Sequence, residues 1–113
     1  MDCIFCKIAN GEIPAKLLHK DNELVAFQDI RPQAPVHILI IPVEHIESIM
    51  ALNADPEVLI GKMILLAQQI AKQEKIAESG FRLVFNCGRD GGQDVFHLHL
   101  HLLGGRTMSW PPG

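Results

Sequence analysis

The chain lacks the features that mark membrane, secreted and nucleic-acid-binding proteins. No apolar run approaches the roughly 20 residues that a spanning helix needs. The longest candidate, Ile38-Leu39-Ile40-Ile41, reads as a buried strand. Nothing like a secretory signal opens the chain at Met1-Asp2-Cys3, so a cytoplasmic location is expected. Cysteine is scarce: three residues, an odd number, suggest a reducing compartment and no disulfide framework. Basic residues are outnumbered ten to thirteen, giving a formal charge of −3, so no long-range positive field draws in nucleic acid or a membrane surface. An anionic ligand must then be caught by local geometry. Internal repeats, low-complexity tracts and linkers are absent too. At 113 residues, 48% of them apolar, residues 1–113 are expected to form one domain with a real core.

What the chain does have is histidine in an unusual arrangement. Three of its six histidines fall in Phe96-His97-Leu98-His99-Leu100-His101-Leu102-Leu103 at strict two-residue spacing. Successive side chains of a β-strand point to opposite faces. As a strand, this segment puts His97, His99 and His101 on one face and Phe96, Leu98, Leu100 and Leu102 on the other. Unpartnered imidazoles are costly to bury, and a sheet face wanting only solubility would carry Lys, Thr or Glu. Metal ligation or acid–base and nucleophilic chemistry remain. At about 3.3 Å per residue, the outer two Cα atoms lie roughly 13 Å apart, too far for one ion to engage all three rings. His99, in the middle, is the natural reactive centre.

The rest of the chain reads as an α+β domain of five antiparallel strands, one long helix and two short ones. Asp2 is suited to cap a short helix over residues 3–9, closed by Asn10-Gly11. Within it, Cys3 and Cys6 form half a zinc site or simply two buried small residues. Residues 15–19 and 24–28 read as strands joined by a turn at Lys20-Asp21-Asn22-Glu23. Asp29 opens a proline-rich loop, where its carboxylate either caps the turn or accepts hydrogen bonds from vicinal hydroxyls. Residues 37–42 read as a central strand buried on both faces, followed by a short helical turn through Ile46, Ile49 and Met50 that carries His45, taken alone a surface residue. Asp55-Pro56-Glu57 starts the long helix, Leu59, Met63, Leu66 and Ile70 give its buried stripe, and Ser79-Gly80 ends it. A strand over residues 82–86 then leads into Cys87-Gly88-Arg89-Asp90-Gly91-Gly92-Gln93-Asp94. This glycine-rich stretch serves equally as a hairpin loop and as a cradle of N–H groups for an oxyanion.

The segment from His97 to Leu103 resembles the His-φ-His-φ-His-φ-φ signature of the histidine triad (HIT) superfamily. The likeness extends to its nucleotide-binding (Hint) branch through residues 27–37, Asp90-Gly91-Gly92-Gln93, and the tail from Gly104-Gly105-Arg106 to Trp110-Pro111-Pro112-Gly113. The resemblance implies a HIT-like fold whose sheet extends across a homodimer. It also implies binding of purine nucleoside monophosphates and hydrolysis of adenosine phosphoramidates or acyl-adenylates, with no cofactor required for catalysis. His99 would be the nucleophile, giving a nucleotidyl-histidine. His101 would contact phosphate and leaving group, with His97 and His37 in support. Asp29 would bind the ribose hydroxyls, and Asn86, Gly92, Gln93 and the backbone of Asp94 would hold the phosphate. Ile4, Phe5, Ile8, Phe27, Ile30 and Leu39 would line the base pocket, with Trp110 near the partner's active site.

Two positions depart from well-known members. Asp94 stands where some Hint enzymes carry serine, beside the phosphate, so only its backbone N–H carries over. Cys3 and Cys6 are absent from the familiar animal proteins, whereas some bacterial relatives combine such a pair with residues like His45 and His97 in a Cys2His2 structural zinc site. Competing readings are a dinucleoside polyphosphate hydrolase, which the Trp110 tail argues against, a zinc hydrolase using two triad histidines as ligands, and a regulatory nucleotide-binding module with incidental turnover.

Overall fold

The computed structural model describes residues 3–53 and 57–113. Strands β1 (Leu17–Lys20), β2 (Leu24–Gln28), β3 (Val36–Pro42), β4 (Phe81–Phe85) and β5 (Leu100–Gly104) form one antiparallel sheet in the order β1-β2-β3-β5-β4. The expected α+β class is the one observed. β3 lies between β2 and β5, with residues 37–42 all buried, as a continuous apolar run demands.

Alternation along the strands divides the core in two. On one side, Ala26, Ile38, Ile40, Leu98, Leu100 and Leu102 pack against Met63, Leu66, Ala67 and Ile70 of the long helix α2 (Glu57–Gln73). On the other, Val25, Phe27, Leu39 and Ile41 meet Cys3, Phe5, Ile8 and Ala9 of the short helix α1 (Ile4–Ala9) and its cap.

Several boundaries differ from the sequence reading, each for a physical reason. α1 is capped by Cys3, whose sulfur accepts the Cys6 N–H at 3.3 Å; the expected cap, Asp2, lies outside the described residues, as does the start signal Asp55-Pro56. α2 stops at Gln73 rather than at Ser79-Gly80. Lys75 takes a left-handed φ of 61°, its N–H returns to Lys72, and that of Ile76 returns to Ala71. This is a Schellman closure, built on a lysine where glycine is usual and sealed by Ile76, 4% exposed. The turn expected after Pro42 is helical only as one 3-10 turn, Ile49–Ala51.

The most consequential difference concerns the histidine segment. Only Leu100–Gly104 joins the ladder. Pro42 has no N–H to donate, and the Leu98 N–H goes to the Ile46 carbonyl at 2.6 Å, so the chain leaves the sheet before Leu100. Phe96, expected in the apolar row, is 57% exposed, whereas Leu98, Leu100 and Leu102 keep their places beneath α2.

Candidate active site

All three histidines of the signature face the α1 side although only His101 lies in a strand. Phe5 sets its ring edge-on to His97 (centroids 6.0 Å apart) and to His99 (5.1 Å), and the His99 and His101 rings are 4.9 Å apart. Leu39 pairs with His101 and Leu103 with His37 across the β3–β5 ladder. His37 and His101 are therefore diagonal neighbours on one face, and His37 Nε2 comes within 2.9 Å of His101 Nδ1.

Backbone groups fix which nitrogen of each ring carries a proton. His97 donates from Nε2 to the Pro42 carbonyl at 2.8 Å, leaving Nδ1 as a lone pair. His99 donates from Nδ1 to the His97 carbonyl at 2.7 Å, so its lone pair lies on Nε2. The Gln33 N–H donates to His37 Nδ1 at 3.0 Å, so His37 holds its proton on Nε2 and gives it to His101 Nδ1. His101 is left with an Nε2–H, a proton to offer.

Burial keeps His37 and His101 neutral. It pulls the pKa of His37 down, with Asp29 partly opposing, and pulls that of His101 down to about 4, with the neighbouring His99 and His37 adding to the effect. A neutral imidazole near pH 7 is a nucleophile; an imidazolium is not.

Of the two readings of Asp29, the structure shows the turn cap. Oδ1 caps the turn by accepting the Arg31 N–H at 2.8 Å, while Oδ2 lies 3.5 Å from His37 Nε2. In the glycine-rich connection the amides are partly committed to the loop itself. Gly92 N–H returns to Arg89 O at 3.0 Å, and Asn86 Nδ2 donates to Gly91 O at 2.7 Å. Gln93, read as a phosphate contact, is buried. Its oxygen accepts the Gly88 N–H, and its nitrogen donates to Glu47 O and Val95 O, so its side chain ties the loop together. Gly91 could not be replaced cheaply, since a Cβ there would run into the Cys87 backbone carbonyl. Among the described residues nothing takes up the Asp94 N–H, which stays available to an anion. The Asp94 carboxylate is 84% exposed, with Oδ1 4.0 Å from His99 Nε2.

Of the six residues expected around a base, Phe5, Ile8, Phe27 and Leu39 are buried in one cluster, with Phe5 and Phe27 edge-to-face at 5.5 Å. Ile4 and Ile30 are exposed at its margin, and Trp110 projects into solvent. Open surface hollows of about 470 Å³ near Asn22 and Val58 and about 480 Å³ near Phe81 and Met108 hold no histidine or cysteine. Chemistry rather than depth therefore marks the site.

Next to the histidines lies a second cluster. The donor atoms of Cys3, Cys6, His45 and His97 all lie within 4.8 Å of one another. Cys3 Sγ is 3.3 Å from His97 Nδ1, and Cys6 Sγ is 3.3 Å from His45 Nδ1 and 3.5 Å from His97 Nδ1. A tetrahedral zinc, at about 2.3 Å from sulfur and about 2.0 Å from nitrogen, requires ligand separations of roughly 3.5 Å. The set fits, and the Pro42 carbonyl supplies the outer hydrogen bond that orients a ligating imidazole. In the metal-free form burial, with Cys3 beside it, pushes the Cys6 thiol up to about 11.

What the sequence reading missed were the backbone partners: the Pro42, His97 and Gln33 groups that set the tautomers, and Phe5 against the nucleophile. No residue type signals a backbone contact.

Comparison with known proteins accords with this geometry. The family described as scavenger mRNA decapping enzyme, C-terminal binding, matches residues 2–110. A purine nucleoside phosphoramidase of Escherichia coli K12 is 50% identical over 107 residues, 95% of this chain and 90% of the relative. The crystal structure of a HIT family hydrolase from Legionella pneumophila is 54% identical, covers 99% of this chain and 100% of its own, and superposes with a TM-score of 0.97. A histidine triad nucleotide-binding protein from Candida albicans is 32% identical, with a TM-score of 0.83 over 97% of this chain and 83% of its own.

Because the folded pKa of His101 is depressed, the folded chain binds fewer protons than the unfolded chain between about pH 4 and the ordinary histidine value of 6.5. This stability is present in full above pH 6.5 and is lost as pH falls toward 4. Denaturation midpoints measured across that window should drop with pH, and His101→Gln should flatten the decline.

Proposed function

The chain belongs to the histidine triad superfamily, and from that premise we propose that it is a purine nucleoside phosphoramidase. It is a hydrolase that cleaves the P–N bond of AMP-amine substrates, and the acyl-adenylate equivalents, through a nucleotidyl-histidine. The observation that carries this reading is the set of fixed tautomers. A free Nε2 lone pair on His99 lies beside an Nε2–H on His101, each held by a partner on its far nitrogen.

His99 Nε2 forms a bond to phosphorus as the P–N bond breaks, and the amine leaves with a proton drawn from solvent while the neutral His101 donates a hydrogen bond from Nε2 to the phosphoryl group and leaving nitrogen. Water then attacks phosphorus, the Nε2–P bond breaks, and the proton released by water passes to solvent. Splitting the displacement replaces one hard step with two easier ones. Asp29 receives the ribose hydroxyls on Oδ2. Asn86, Gly92 and the Asp94 N–H hold the phosphate, with Gln93 bracing their loop. The base rests on Phe5, Ile8, Phe27 and Leu39, with Ile4 and Ile30 at the rim.

Zinc, when bound by Cys3, Cys6, His45 and His97, supplies a structural cross-link between α1 and the histidine segment, and catalysis itself needs no cofactor. Four protein ligands leave no open position for water activation. A reducing cytoplasm suits the three free thiols. The working form is a homodimer. β4 is a free sheet edge bearing Phe81, Leu83 and Phe85, and α2 exposes Ile64 and Leu65. A second copy covers such surfaces, and Trp110, 81% exposed here, then lies near the partner's site. No nucleic acid or membrane partner is required; among the described residues no helix is long and apolar enough to cross a membrane.

His99→Ala should lower phosphoramidate turnover by several orders of magnitude while AMP still binds, read by steady-state kinetics and calorimetry. Retention of more than about a tenth of the activity, a loss below about 1.4 kcal/mol, would remove the nucleophile assignment. Elemental analysis of protein purified without chelator should find about one zinc per chain, and stripping it should lower the melting temperature. Metal-free protein whose stability ignores EDTA would sink the zinc reading. Sedimentation at micromolar concentration should give a dimer; a monomer there would withdraw any role for Trp110 across an interface.

A further inference from the structure

The carboxylate of Asp94 has no part in the steps above, yet it stands beside the proposed reacting centre. Its Oδ1 is 4.0 Å from the nucleophilic Nε2 of His99. Among the described residues no lysine or arginine pairs with it; the nearest basic side chain in sequence, Arg89, is engaged with Asp90 at 3.1 Å. Among the described residues no hydrogen bond ties it down, and at 84% exposed it is free to turn toward whatever occupies the space before His99.

In a reactive complex phosphorus sits about 3 to 3.5 Å from the attacking nitrogen. By the triangle of distances, the carboxylate oxygen cannot then be more than about 7.5 Å from phosphorus, whichever way the substrate enters. That lies inside the Debye length of about 8 Å at physiological ionic strength. Charge carried on the leaving group a few bonds beyond phosphorus lies near that range of Asp94, whose carboxylate is itself exposed to solvent.

We propose that Asp94 is a specificity residue that selects phosphoramidates by the charge of their leaving group, favouring amines that carry a second, cationic group and disfavouring those that carry an anionic one. This rests on the phosphoramidase reading and adds to it the class of amine. The same charge bears equally on the phosphate of every substrate, so it raises or lowers all rates together. Only the ratio between substrates differing in the distal charge reports the selection. Asp29 does not confuse the reading, because its oxygens are committed to Arg31 N–H and face His37, on the ribose side of the proposed pose.

The test compares two adenosine phosphoramidates of equal length, one made with diaminopropane, ending in an ammonium, and one with β-alanine, ending in a carboxylate. Wild type should show a kcat/KM ratio of about tenfold or more in favour of the diamine at low salt, a size expected for exposed charges at this range. The ratio should shrink as salt rises from about 0.01 M to about 1 M, where the screening length falls from about 30 Å to about 3 Å. Asp94→Asn, which keeps the shape, should bring the ratio near unity, and Asp94→Glu, which keeps the charge, should retain the preference. A ratio that Asp94→Asn leaves unchanged, or that ignores salt, overturns this inference while phosphoramidase activity stands. If wild type turns over neither compound, the proposed function falls and this inference with it.

Discussion

Leu39 stands opposite His101 in the ladder between β3 and β5, and the histidine end of the sheet depends on that register. Side chains alternate with a period of two, so a slip by one residue would carry His101 to the α2 side and bring a leucine into its place. The slip is opposed from both faces at once. Leu100 and Leu102 are 1% and 0% exposed beneath α2, and Leu39 and Ile41 are equally sequestered beneath α1. A sheet packed on one face only would hold this register less firmly. Here the hydrophobic effect, which has no directional preference, still places a hydrogen-bonding pair of imidazoles to within 2.9 Å.

His97 then joins this sheet to the N-terminal helix. Its ring is fully buried between the Pro42 carbonyl and the two thiols, while its own carbonyl oxygen receives the Nδ1–H of His99. Whatever stiffens the Cys3, Cys6 and His45 cluster therefore stiffens the acceptor that orients His99, although none of those three side chains hydrogen-bonds to it. The departure of residues 97–99 from the ladder is part of the same arrangement. A strand continued through His97 would have committed its carbonyl to a neighbouring strand.

Burial and charge work in opposite senses across the site. The protein interior keeps His37 and His101 neutral by withholding water. Two carboxylates stand beside the rings, Asp29 Oδ2 3.5 Å from His37 Nε2 and Asp94 Oδ1 4.0 Å from His99 Nε2. An anionic substrate approaching them has to be held by oriented N–H groups against that charge. In a chain of net charge −3, recognition rests on short-range hydrogen bonds, which distinguish shapes more sharply than a diffuse field.

Much of this was legible in the residues. Two-residue spacing set the histidines against the leucines, and that division survived at His97, Leu98 and His99 outside the strand, because an extended chain alternates whether or not it is paired, while Phe96 turned out to solvent. The apolar run of β3 announced a central strand, and the stripe through Met63, Leu66 and Ile70 announced the face of α2. The end of α2 was illegible because its left-handed residue is Lys75, and no rule of composition places a lysine there. The meeting of Cys3 and Cys6 with His45 and His97 was decided by folding alone, since it depends on where a short helix lands on a sheet 39 to 94 residues away. So were the tautomers, because backbone carbonyls and N–H groups are the same in every residue. Sequence determines which side chains are present and at what period they recur; only the packed chain decides which anonymous backbone group each of them meets.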